Sequence, residues 1–201
     1  MELAVITSSE FFENENEIII QLFEHGLLRL HLRKPDADLA AVEILLQQIP
    51  TAFHAKIILH QYPEMLDEYN VGGFHINRHQ FENRKTIQQK IKTTQSFSIS
   101  THTFEEIKIH QEFDYYFISP IFDSISKHGY HAAFDKHEIE MGLKENKHKK
   151  IFALGGVNAV NIAALKKMGF NGAALLGTIW ESHHPIKSFI NIQQKINEVV
   201  E

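Results

Sequence analysis

The chain has 201 residues, 43% hydrophobic and 22% charged, with a formal net charge of −5, which suits one domain with a buried core. It contains no cysteine and no run of lysine or arginine, which excludes disulfide frameworks, thiolate zinc sites and cysteine nucleophiles and argues against a nucleic-acid footprint. The opening MELAVITSSE is too short and too acidic for a signal peptide, and no apolar run approaches the ~20 residues of a membrane span, so a cytoplasmic protein without nucleic-acid or membrane partners is expected.

Short apolar, β-branched runs alternate with amphipathic stretches along the whole chain. Strands are predicted at Leu3 to Ser8, Leu27 to Lys34, Ala55 to Gln61, Gly72 to Ile76, Phe97 to His102, Asp114 to Phe122, Lys149 to Gly156 and Gly172 to Gly177. The first intervening helix, Glu15 to His25, carries Ile18, Ile19, Leu22 and Phe23 on one face, and Ala37 to Ile49 repeats the pattern. Further helices are predicted at Pro63 to Asn70, Asn83 to Ile91, Thr103 to Gln111, His137 to Asn146, Asn158 to Met168 and Pro185 to Val200. Eight strands in strict alternation with eight helices imply parallel strands and a single-domain (β/α)8 TIM barrel over residues 1–201, with a doubly wound open sheet as the competitor. In the second strand Leu28, Leu30 and Leu32 would face the helices and Arg29, His31 and Arg33 the interior; in the fifth, Ser98, Ser100 and His102 would point inward.

In such a barrel the ligand lies at the C-terminal mouth. The seventh and eighth strands end in Gly155-Gly156 and Leu176-Gly177, turns where backbone N–H groups can approach an anion without a Cβ in the way. The loop after the sixth strand carries Ser124, Ser126 and Lys127, two hydroxyls and an ammonium that suit a lid over a second anionic group. His102 at a strand end suits a general acid/base that passes a proton between carbons of a ligand. Of the fourteen histidines, most fall on outer helices or loops. His31, His60 and His75 fall at strand ends without HxH or HExxH spacing, so no metal site is expected of them.

The segments LAVITSSE, LRLHLRK, SISTHTFEE and DYYFISPIFDSISKHG followed by IFALGGVNAVNIAALKKMGFNGAALLG resemble, in order, those of the thiamine phosphate synthase/TenI family. The resemblance covers nearly the whole chain and implies a barrel that takes small phosphorylated thiazole or pyrimidine ligands, with a homo-oligomer left open. It places the thiazole phosphate on Gly155, Gly156, Leu176 and Gly177, pyrophosphate on Arg33, Ser124, Ser126 and Lys127, and substrate near His31, His60, Gln61 and Ser100.

The departures from the synthase pattern bear on activity. That pattern has Gln where this chain has His31 and Lys at or beside Pro35. It ends its third strand in Asn-Asp, where His60-Gln61 stand here, and reads HLGQxD where this chain has His75 to Gln80. Both metal-binding aspartates are thus glutamines, Gln61 and Gln80, and neutral amides lack the charge that holds Mg²⁺. The resemblance therefore implies a TenI-like thiazole tautomerase with His102 as acid/base and no cofactor. The alternatives are a thiamine phosphate synthase, which would need Mg²⁺, and a non-catalytic thiamine-phosphate binding protein. Another phosphate-binding barrel isomerase is a more distant alternative.

Overall fold

Strand parity decides the architecture, because each strand must bury one row of side chains under helices and the other in the lumen. The computed structural model describes residues 1–123 and 133–198. Its strands are β1 (Glu2–Ile6), β2 (Arg29–Leu32), β3 (Ile57–Leu59), β4 (Gly73–Ile76), β5 (Ser96–Thr101), β6 (Tyr115–Ile118), β7 (Lys150–Ala153) and β8 (Gly172–Leu175). They form a closed barrel in sequence order, every pair parallel, with β8 returning to β1 through Ala4↔Ala174.

Between and after them come α1 (Glu15–Glu24), α2 (Leu39–Gln47), α3 (Met65–Glu68), α4 (Arg84–Gln88), α5 (Phe104–Ile109), α6 (Lys136–Glu145), α7 (Ile162–Met168), α8 (Gly177–Trp180) and α9 (Pro185–Asn197). Asp38, Thr103 and Asp135 start α2, α5 and α6 by accepting a backbone N–H three residues on, each such cap contributing about 1 kcal/mol. Several expected helices are shorter than their patterns. α4 follows a 3-10 turn over Arg78–Asn83 capped by Asn77 and ends at Gln88, three residues before the expected Ile91, and α3 keeps only its central four residues. The short α8 was not expected at all. No helix among the described residues is long and apolar enough to cross a membrane.

The outward rows, such as Leu30 and Leu32 on β2 and Phe97 and Ile99 on β5, join the helix faces in one apolar layer with Ile19, Leu22 and Phe23 of α1. Each such side chain contributes about 1.5–3 kcal/mol by leaving water. Leu28 is a correction: it precedes β2 and is 59% exposed, not buried under the helices. The lumen divides in two. Towards β6, β7, β8 and β1 it is apolar and aromatic, with Tyr115, Phe117, Phe152, Ala4, Ile6 and Ala174. Gly172 is required there, since a Cβ would stand 2.3 Å from the Phe152 ring. Towards β2–β5 it is polar, with His31, His60, His75 and Ser98 all buried.

Arg29 points into the lumen at its N-terminal end, where the Glu2 carboxylate accepts from Arg29 Nε at 2.9 Å and Lys150 Nζ at 2.5 Å. The guanidinium also donates to Ser96 Oγ at 3.1 Å and lies 4.6 Å from the centroid of Tyr115. The bottom of the barrel is closed by this cluster, which leaves the C-terminal mouth as the place for a ligand.

Candidate functional site at the barrel mouth

The two sides of the mouth are built differently. After β7 the chain turns through Gly155 and Gly156, at φ +97° and +63°. A Cβ on Gly156 would lie 2.2 Å from the Asp123 carbonyl oxygen, and one on Gly155 would lie 3.0 Å from Pro120. Only glycine allows the β7 turn to approach the β6 loop this closely. The amides of Gly155, Gly156 and Val157 donate to no protein acceptor among the described residues. After β8, Leu176 leads into α8, whose first amides at Gly177 and Thr178 have no intrahelical partner. A short extra helix beyond the eighth strand, facing a glycine turn beyond the seventh, is an arrangement that can hold a phosphate-sized anion on backbone donors. Leu176 contributes by backbone, while its side chain packs on the lumen aromatics.

On the opposite side, side chains lace the strand ends together. Thr7 Oγ1 donates to the Arg33 carbonyl and accepts from its amide, both at 2.9 Å. Gln61 does the same to Lys34: its Oε1 accepts from Lys34 N at 2.9 Å and its Nε2 donates to Lys34 O at 2.6 Å. Gln80 Nε2 donates to His60 O at 2.8 Å while its Oε1 accepts from Asn77 N at 3.0 Å. Both amide oxygens that the family resemblance sets at Mg²⁺ positions are therefore occupied by backbone N–H groups. The residues present do not fit a hard divalent cation.

Lys34, next to the position where the synthase pattern has its lysine, is fully buried. Its Nζ donates to both Glu15 oxygens at 2.7 Å and to Glu10 O at 2.8 Å. It fastens the β1–α1 connection and offers no free charge to the mouth. Arg33 is half-buried at the rim, and no ion pair or side-chain hydrogen bond involves its guanidinium among the described residues.

Beneath this side, His31, His60 and His75 meet although 29 and 15 residues separate them in sequence. His31 Nδ1 lies 2.9 Å from His60 Nε2, and His31 Nε2 lies 3.0 Å from Tyr115 Oη. His75 Nδ1 and Nε2 contact Ser98 Oγ at 2.8 Å and Ser100 Oγ at 2.9 Å. Burial drives the pKa of all three imidazoles down, His75 to about 3, and neighbouring imidazoles and arginines push the same way. They are neutral at ordinary pH.

His102 departs from its expected position. β5 ends at Thr101, so His102 sits in the following bend, exposed on the rim and not in the lumen. Its Nδ1 lies 3.0 Å from the Ser119 carbonyl oxygen. A carbonyl can only accept, so Nδ1 carries a proton, and in the neutral ring Nε2 holds the lone pair. Its backbone amide is held by Glu106 Oε2 at 2.8 Å.

Arg33, Gln61, Ser100 and His102 thus stand at or just beyond the C-terminal ends of their strands, as the glycine turns do at theirs, while His31 and His60 are buried. Ser124, Ser126 and Lys127 lie outside the described residues. Tyr115, Glu15 and α8 had no readable sequence signal. Tyr115 sits in an unbroken apolar run, Glu15 looks like any first-turn acid, and four residues show no period.

These features belong to a (β/α)8 barrel with glycine turns beyond β7 and β8 and a rim histidine whose Nδ1 faces the Ser119 carbonyl. The profile of the thiamine monophosphate synthase family, TMP-TENI, matches residues 3–179, and the chain belongs to that family. It is 24% identical over 155 residues to the thiamine-phosphate synthase of Lysinibacillus sphaericus, spanning 76% of this chain and 71% of that one. Among solved structures, the thiamine phosphate pyrophosphorylase of Bacteroides thetaiotaomicron superposes with a TM-score of 0.81 at 30% identity over the whole of both chains. That of Pyrococcus furiosus gives 0.79 at 17% identity, covering 100% of this chain and 97% of that one, and supports the fold.

Proposed function

We propose that this protein binds a thiazole phosphate at the barrel mouth and acts as a thiazole tautomerase through His102. The phosphate would sit on the amides of Gly155, Gly156, Gly177 and Thr178, where a helix terminus and glycine turns favour an anion. His102 Nε2 would take a proton from one carbon of the bound thiazole carboxylate phosphate and return it to another. The transient imidazolium would be held by the Nδ1–H contact to Ser119 O. No atom is lost in that exchange and it requires no cofactor.

The observation that carries this reading over a synthase is the engagement of Gln61 and Gln80 with backbone groups. Expelling pyrophosphate needs neutralisation of the leaving group, and Mg²⁺ supplies it when carboxylates hold the ion. The synthase reading is favoured by the printed names of the relatives.

Two assays separate the readings. Purified protein given pyrimidine pyrophosphate and thiazole phosphate, with and without Mg²⁺, is expected to form no thiamine phosphate; robust Mg²⁺-dependent product would replace the tautomerase with a synthase. Given the non-aromatic thiazole carboxylate phosphate, it is expected to form the aromatic isomer, and His102→Ala is expected to abolish this while still binding thiazole phosphate. Binding without turnover in the wild-type protein would leave a binding protein.

A further inference from the structure

The polar half of the lumen holds chemistry that the proposed reaction does not use. Among the described residues, His31, His60 and His75 each bring a ring nitrogen to within 4.8 Å of the other two. We infer that these three imidazoles form a binding site for one late first-row divalent cation of the Zn²⁺ or Co²⁺ class.

Strand register builds the site. β2, β3 and β4 are neighbours, and the three histidines end up on adjacent lumen-facing positions. All three are buried, at 0%, 5% and 1% exposure. Among the described residues no carboxylate joins them, so the side-chain donor set is nitrogen alone. Imidazole nitrogen suits Zn²⁺, Co²⁺, Ni²⁺ and Cu²⁺ and gives no advantage to Mg²⁺ or Ca²⁺.

A metal-binding histidine needs its remote nitrogen to be a held N–H donor, which aims the lone pair of the other nitrogen at the ion. Two of the three rings already have such a partner. Tyr115 Oη stands 3.0 Å from His31 Nε2, and Ser98 Oγ stands 2.8 Å from His75 Nδ1. Both hydroxyls are buried, at 1% and 0% exposure. With these as acceptors, His31 Nδ1 and His75 Nε2 are left as lone pairs. His31 Nδ1 then faces His60 Nε2 at 2.9 Å, a contact that one shared proton satisfies and that a cation can satisfy in its place. Tetrahedral Zn²⁺ sets ligand nitrogens roughly 3.4 Å apart, so this pair opens slightly and His75 closes in. The change costs the Ser100 contact to His75 Nε2 and the 4.5 Å stacking of His60 on His75. Both are side-chain rotations on fixed strands.

Three neutral ligands leave the ion's charge uncompensated, and Arg33 is close enough to act on His60 and His75. The site therefore takes its cation together with an anion in the fourth position, hydroxide or an anionic group of a bound ligand.

The test uses the full chain, stripped with a chelator and titrated with Co²⁺. One equivalent is expected to bind, with the intense visible bands of a tetrahedral centre, and Zn²⁺ is expected to bleach them one for one. Mg²⁺ should leave them unchanged. His60→Gln and His75→Gln are expected to weaken Co²⁺ at least 100-fold, and Tyr115→Phe 10- to 100-fold, the range for an outer-shell partner. Replacing the exposed pair His183 and His184 by alanine should change nothing. The inference is overturned if the wild-type protein binds no stoichiometric Co²⁺, or binds it with weak octahedral bands. It is equally overturned if the signal survives in His60→Gln or disappears with the His183/His184 change. Because wild-type spectra decide the first outcomes, a variant that fails to fold does not rescue the idea. The readout is also independent of tautomerase turnover.

Discussion

The β7–β8 side of the mouth is made of backbone and the β2–β4 side is made of side chains, and the two meet around one opening. On the first, glycines at positive φ present amides that no acceptor among the described residues takes. On the second, Thr7, Gln61 and Gln80 spend their polar atoms on neighbouring strand ends. An anion site of amides survives almost any change of side chain that keeps the turn. A cation site of carboxylates does not: one change from Asp to Gln replaces a charge with an amide, and the amide finds the nearest backbone. On the proposed reading, the barrel keeps an anion end of backbone amides while the Gln61 and Gln80 positions become structural.

The largest effect is expected at the rim between the two sides. His102→Ala should lower tautomerase turnover by about 10²- to 10⁴-fold, the usual contribution of a positioned acid/base. Because His102 is exposed, urea unfolding should shift by less than about 0.5 kcal/mol. A loss of stability comparable to the loss of rate would mean that the Ser119 contact is structural.

Acid should act next, and on the β2–β4 side only. The folded pKa values of His31, His60 and His75 lie below the ordinary value of 6.5. Between those values and 6.5 the unfolded chain binds protons that the folded chain does not. Their stabilising contribution is therefore complete above about pH 6.5 and is lost as pH falls, at about 1.4 kcal/mol per unit for each imidazole acting alone. For His75 the loss continues towards pH 3. Urea unfolding of chelator-treated protein at pH 7.5 and 5.5 checks this, and equal stability at both would refute the buried neutral cluster. On the β7–β8 side, Gly156→Ala should cost about 2 kcal/mol, from positive φ and from a Cβ against the Asp123 carbonyl. It should weaken thiazole phosphate in calorimetry by at least tenfold. A folded variant that binds normally would remove the glycine turn from the anion site.

Most of the barrel was legible because alternation is local. Leu30 against His31 and Ile99 against Ser98 announce which row faces the helices, and the glycine pairs announce tight turns at strand ends. What failed was what depends on where a strand stops or on which residues meet across the lumen. His102 was read as lumenal because the pattern of Ser98 and Ser100 continues for one more alternate residue, whereas β5 ends at Thr101. The histidine trio has no spacing in sequence because its spacing is that of a barrel, one residue on or just beyond each of three neighbouring strands. Lys34 had no assigned role in the sequence, and its partner Glu15, nineteen residues earlier, is identifiable only once the structure brings the two together. Gln61 and Gln80 were legible as lost charges but not as clips, since their partners are backbone atoms.

The smallest effect tests that clip role directly. Gln61→Ala leaves the Lys34 amide and carbonyl without partners, and Gln61 is only half-buried, so water can replace part of what is lost. A cost of about 1 kcal/mol in urea unfolding is expected. Gln61→Glu separates geometry from charge. One carboxylate oxygen can still accept from Lys34 N, but the other replaces an N–H that donates to Lys34 O at 2.6 Å. Two acceptors then face each other, so at pH 7.5 Gln61→Glu should be less stable than Gln61→Ala despite its closer shape. If instead Gln61→Glu is as stable as wild type and gains stability from Mg²⁺, the new carboxylate is turning away from Lys34 towards the mouth. The amide's engagement with backbone would then not be what keeps that side of the barrel free of the hard cation.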